Sequence, residues 1–202
     1  MDWLRWVSTA AFLAVAGYCV VRLVAAARAP SVYQGCHRAV DLAHVLMGVG
    51  MAAMVSPVGG PLPMPAWQTV FLLMTAWFLR EWWRERGTTP WHGGWHGNGL
   101  HHAVAAAAML YMLMAMPHTG HRSSPWLDGG MGWGTGMALP VLGWALVAYF
   151  PVTAVLMVVR WRMPAGPAGL PPVLTTSKGT VACQTTMSIG TGGMLTAMLV
   201  VV

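Results

Sequence analysis

HHAVAAAAMLYMLMAM, running from His101 to Met116, is apolar almost throughout and carries no acidic residue, Lys or Arg. As a helix rising about 1.5 Å per residue it covers most of a bilayer's hydrocarbon core of roughly 30 Å. It opens on two histidines and ends in a series of methionines. At about 100° per residue, His101, His102, Met109, Met112 and Met116 share one face, while Tyr111 and Met114 fall outside it. Imidazoles at one end and thioethers further along form a row of soft-metal ligands.

Two other stretches repeat the pattern. In DLAHVLMGVGMAAM, His44, Met47, Met51 and Met54 share a face, and in CQTTMSIGTGGMLTAM, Cys183, Met187, Met194 and Met198 do. Each stretch contains Met-x-x-x-Met: Met47/Met51, Met112/Met116 and Met194/Met198.

Composition agrees with a membrane setting. Of the 202 residues 56% are hydrophobic and 8% charged, where water-soluble domains carry roughly 25% charge. Mean hydropathy is +0.58. Lipid admits only helices or closed barrels, and the apolar runs here are helix-length. The expectation is an all-α polytopic membrane protein, a single domain over residues 1–202. Its spans are expected at about 6–27, 39–55, 66–79, 100–116, 138–159 and 181–202. The last is weakened by Gln184, Thr185, Thr186 and Ser188 and interrupted by Gly190, Gly192 and Gly193, so five spans plus a re-entrant segment is the second choice. The first reads as an uncleaved helix with Arg22 snorkelling from its inner end, although Ala25–Ala29 also suits a signal peptidase. Pro151 predicts a kink in the fifth span.

Basic residues orient the bundle. Arg22, Arg28, Arg38, Arg80, Arg84, Arg86, Arg160, Arg162 and Lys178 flank the odd loops, and only Arg5 and Arg122 lie opposite. The positive-inside rule puts the odd loops in the cytoplasm and both termini outside a plasma membrane. The formal charge of +6 therefore reads as topology and lipid attraction, with no nucleic-acid partner. Spans two, four and six all run outward. His44, His101, His102 and Cys183 then lie in the inner half, with the methionines further out.

Thioethers bind Cu(I) or Ag(I) and bind hard cations poorly, whereas imidazole and thiolate hold copper more tightly. Methionine is also a flexible filler of cores, so any one stripe suits packing as well. Three stripes, each with His or Cys at its inner end, favour ligation. Ten of the 17 methionines fall in spans two, four and six. His92 and His96 in the WHGGWHGNG loop can pass metal inward, and His118 and His121 can collect it outside. Cys36 and Cys183 are expected to face the reducing side. Asp41, one turn before His44, is a partner for that histidine or for Arg38.

No G-x-x-x-x-G-K-[ST] phosphate loop, aspartyl-phosphate D-K-T-G-T, C-x-x-C-H or H-E-x-x-H is present, so the chain is read as neither an ATPase nor a hydrolase, and not as an enzyme. The order D41-x-x-H44-x-x-M47-x-x-x-M51, HH(101–102)…M109-L-Y-M112 and C183…M187…M194-x-x-x-M198 resembles an actinobacterial family of integral membrane proteins of unknown function. Met-x-x-x-Met within a span is similar to the copper-transporter family, in which three subunits each give one such pair to a pore. That resemblance implies one chain supplying all three pairs.

The leading expectation is a protein that binds or conducts Cu(I) between outer methionines and an inner site of His44, His101 or His102 and Cys183. A second reading is a haem b or quinone electron carrier, with His44 and His101 or His102 as axial ligands. A third is a scaffold whose methionine faces pack against a membrane-protein partner.

Overall fold

The computed structural model describes residues 2–28, 35–58, 60–85, 99–115, 140–159 and 177–200. Among these the chain is all-α, with six helices: α1 (Asp2–Arg28), α2 (Gly35–Val55), α3 (Met64–Glu85), α4 (Gly99–Ala115), α5 (Pro140–Val159) and α6 (Ser177–Val200).

Each helix overlaps one expected span, and the largest differences have local causes. α3 runs on to Glu85 because R-E-W-W-R-E contains no breaker and Arg84 pairs with Glu81 one turn back (3.4 Å). α5 continues as one helix through Pro151. α6 is unbroken across Gly190, Gly192 and Gly193, where the sequence suggested an interruption. Its hydroxyls turn inward on their own helix: Thr191 Oγ1 donates to the Met187 carbonyl (2.9 Å) and Thr196 Oγ1 to the Gly192 carbonyl (2.8 Å).

The helices pack as three antiparallel hairpins, α1 on α2, α3 on α4 and α5 on α6. Arg5 near the start of α1 donates through Nε to the Val55 carbonyl at the end of α2 (3.1 Å). That bond satisfies one of the carbonyls a helix end leaves open. Gln68 on α3 reaches the Leu113 carbonyl of α4 (3.5 Å). The second member of each hairpin turns to the middle, so α2, α4 and α6 also touch one another. His44 meets His102 and Gly50 meets Met109 between α2 and α4, and Gly48 meets Met187 and Met51 meets Thr191 between α2 and α6, so contacts advance together and the three run parallel.

The distribution of polarity is inverted relative to a protein in water. Arg22, Asp41, His44, His101, His102, Gln184, Ser188 and Thr191 are buried, while Trp3, Val21, Leu73, Val141 and Val159 are exposed on the outside. Three helical segments, Trp3–Ala25, Arg38–Val55 and Pro140–Val159, are long and apolar enough to cross a membrane, and Gly99–Ala115 is apolar but shorter.

Close approach of α1 to α2 depends on Gly48. A Cβ there would stand 3.0 Å from the Phe12 carbonyl oxygen, 3.0 Å from Met187 Cε and 3.1 Å from Ala16 Cβ. The carbonyl belongs to a helix and cannot swing aside. Gly48→Ala is therefore expected to lower thermal stability by about 1–3 kcal/mol through overpacking. Gly193→Ala, whose Cβ meets nothing within 4 Å, should be neutral or stabilising by about 0.5–1 kcal/mol. Thermal unfolding of the purified variants checks this; equal melting temperatures would contradict the packing.

Candidate metal centre

α1 carries Cys19 and Arg22 one turn apart, and α2 carries Asp41 and His44 one turn apart, so each helix offers two polar groups on one face. The hairpin turns these faces together. Arg22 Nε lies 3.4 Å from Asp41 Oδ2, with both side chains almost fully enclosed. Cys19, Asp41 and His44 each present a ligand atom within 4.8 Å of the other two, and all three are buried. From α6, Cys183 Sγ comes within 4.0 Å of Cys19 Sγ; both are free thiols. Two sulfurs, one imidazole and one carboxylate thus converge between α1, α2 and α6.

A row of rings leads away from this group. His44 meets His102 edge to face at 5.1 Å between centroids, and His102 meets His101 at 5.8 Å. Phe78 of α3 stacks on His102 at 5.1 Å. His101 is tied on both nitrogens, Nδ1 at 3.1 Å from the Tyr149 hydroxyl and Nε2 at 3.4 Å from Ser188 Oγ. Those bonds fix its ring plane, while which nitrogen carries the proton depends on the tautomer. Asp41 Oδ1 is buried without a hydrogen-bond partner, while the His44 ring is within reach of the Val40 backbone one turn back. Leaving a buried oxygen unsatisfied costs free energy, so a ligand that takes a lone pair gains what the fold forgoes.

The expected residues divide into two sets. His44, Met47, His101, His102 and Met187 line one small cavity between α2, α4 and α6. Cys183 is instead part of the thiol pair. Met51, Met109, Met112 and Met198 lie further along and are enclosed in the apolar core with Phe71, Leu113, Phe150 and Leu195. Met54 and Met194 pack against that core from its edge. Met51 Sδ has one polar neighbour, Thr191 Oγ1 at 3.6 Å. Met112 is inside, 1% exposed, and Met114 outside at 66%, as the helical spacing predicts. Met116, His92, His96, His118 and His121 lie outside the described residues, as does the side chain of Cys36.

Two expectations need correction. Arg22 does not snorkel: it is 4% exposed and turned onto Asp41. Asp41 accordingly pairs with Arg22 of α1, where the sequence suggested His44 or Arg38. Cys19 was not singled out from the sequence at all. Its signal was present, because a cysteine one turn from an arginine inside an otherwise apolar helix is an ionisable pair that lipid would not tolerate unpaired. Gln184 and Ser188, which weakened α6 as a span, line the cavity together with Thr191.

Comparison with known proteins adds a family. No curated protein and no solved structure matches the chain. The family described as Domain of unknown function (DUF5134) matches residues 36–198. The matched part begins after α1, so it contains Asp41, His44, His101, His102 and Cys183, and Cys19 and Arg22 precede it. With most of its length matched, the chain belongs to the DUF5134 family.

Proposed function

We propose that the chain is a six-span plasma-membrane protein, with both termini outside, that binds Cu(I) inside its helical bundle. The ligands are Cys19 Sγ, Cys183 Sγ and an imidazole nitrogen of His44. The observation that carries this reading is the approach of two buried thiols to 4.0 Å beside a buried histidine. Such a donor set suits a d10 monovalent ion: thiolate and imidazole are its preferred donors, and three of them complete a trigonal site. Asp41 is held by Arg22, so its charge is already balanced. An ion of single charge then adds least to the desolvation cost of the interior.

The thioethers extend the site. Met47, Met51 and Met54 on α2, Met109 and Met112 on α4, and Met187, Met194 and Met198 on α6 continue outward from the histidines. They provide weaker donors, suited to an ion in transit. The reading involves no chemical transformation and makes the protein a metal carrier, not an enzyme. The apolar exteriors of α1 and α5, with Trp3, Val21, Val141 and Val159 exposed, face lipid or another membrane protein. The alternative of a haem b between His44 and His102 meets a geometric obstacle. Their rings touch edge to face at 5.1 Å, and the adjoining cavity holds about 10 Å³, far less than a flat macrocycle needs.

Copper binding is tested by loading the purified full chain with Cu(I) against a competing chelator. Wild type is expected to retain the metal. Cys19→Ser and Cys183→Ser should each lose more affinity than the roughly 10–100-fold typical of residues that only support a ligand. Copper binding unchanged in both serine variants, or absent from wild type, would overturn the reading. Orientation is tested separately with reporters fused after Val202 and inserted between residues 160 and 176. The two should report opposite sides of the membrane; matching signals would rule out six spans.

A further inference from the structure

The cavity between α2, α4 and α6 is distinct from the thiol group, since neither Cys19 nor Asp41 borders it. Its walls include His44, Met47, His102, Gln184, Met187 and Thr191. At about 10 Å³ it has room for one water or one bare ion. It lies where the three parallel inner helices come together, at the inner end of the methionine stripes. Gly48 lets the Met187 side chain lie directly against α2, 3.0 Å from where a Cβ would stand. Met47 is the next residue along α2, so both methionines border the same space. His44 is shared: it groups with Cys19 and Asp41 on one side and lines the cavity on the other. The ring is 1% exposed, and a neutral imidazole that donates one N–H to the Val40 backbone keeps the lone pair of its other nitrogen.

We propose that this cavity is a second Cu(I) station, with the thioethers of Met47 and Met187 and an imidazole nitrogen of His44 or His102 as ligands. The inference rests on the copper reading for the identity of the ion, and it adds a place for that ion to pause. All of these donors are neutral, so the station accepts a single positive charge and holds it less tightly than a thiolate site does. His44 borders both stations. An ion can therefore pass between thioethers and thiols by exchanging one ligand at a time, without leaving coordination. That gradient makes the protein a conduit, where a thiol site alone would make it a store.

The number of bound ions reads this out. The full chain in detergent micelles is titrated with Cu(I), and with Ag(I) as a redox-inert check, against a competing chelator. Wild type is expected to bind two equivalents. Met47→Leu with Met187→Leu, a near-isosteric pair, should bind one, and Cys19→Ser with Cys183→Ser should bind the other. All four changes together should abolish binding. Met74→Leu, at a buried methionine away from the cavity, should keep both equivalents, and helical circular dichroism verifies that each variant folds. Two equivalents retained by the Met47/Met187 variant would overturn the proposal, leaving the cavity to a water. So would a wild type that binds one equivalent and loses it only to the serines. If the serine variant binds as wild type does while the leucine variant loses an ion, the thiol site fails and the cavity stands. No binding by wild type rejects both.

Discussion

An arginine and an aspartate enclosed in an apolar bundle constrain everything around them. Moving either charge out of water alone costs several kcal/mol, and their pairing at 3.4 Å, with the Tyr18 ring against the guanidinium, makes the burial tolerable. The pair therefore fixes the rotation of α1 against α2: any turn of either helix would separate Arg22 from Asp41. Cys19 lies one turn before Arg22, and His44 one turn after Asp41. Holding the charges together thus brings thiol and imidazole together as well. The Arg5 bond to the Val55 carbonyl anchors the other end of the same hairpin, and Gly48 lets the two backbones close between these points.

The histidine row depends on that hairpin in turn. With His44 directed inward, His102 packs on it from α4, and His101 is held by Tyr149 of α5 and Ser188 of α6. Four helices, α2, α4, α5 and α6, contribute a polar group to this level, and α3 contributes the Phe78 ring. Beyond it toward the other end the interior becomes solid and apolar, built from methionine and aromatic side chains. Methionine suits both tasks there. It fills irregular space next to Phe71 and Phe150, and its sulfur remains a soft donor. The structure thus combines a polar level of histidine, tyrosine and serine with a methionine-containing apolar core.

Much of this was legible in the sequence, and the reasons for the rest are physical. Helix number and the inward faces of α2, α4 and α6 followed from apolar length and from the 3.6-residue period. Met112 inside and Met114 outside are a direct instance. Parallel α2, α4 and α6, with histidines at a common level, followed from counting spans. The partner of Asp41 did not, because it depends on the rotation of α1, and period alone gives no rotation to a helix apolar on every side. For the same reason Cys19 was overlooked. The glycines of α6 were misleading in the opposite direction. A Cβ at Gly192 would stand 3.2 Å from Phe150 Cβ, so that glycine accommodates a neighbouring helix, where local sequence alone suggested a break.

If a soft ion is held by sulfur and nitrogen inside the bundle, as proposed, its ligands provide the direct test. X-ray absorption at the copper edge of the Cu(I)-loaded full chain reports both oxidation state and neighbouring atoms. A cuprous edge with sulfur and imidazole nitrogen in the first coordination shell is expected. In Cys19→Ser/Cys183→Ser that sulfur contribution should fall, and what remains should be of thioether type. A first shell made only of nitrogen and oxygen, unchanged in that variant, would contradict the proposal.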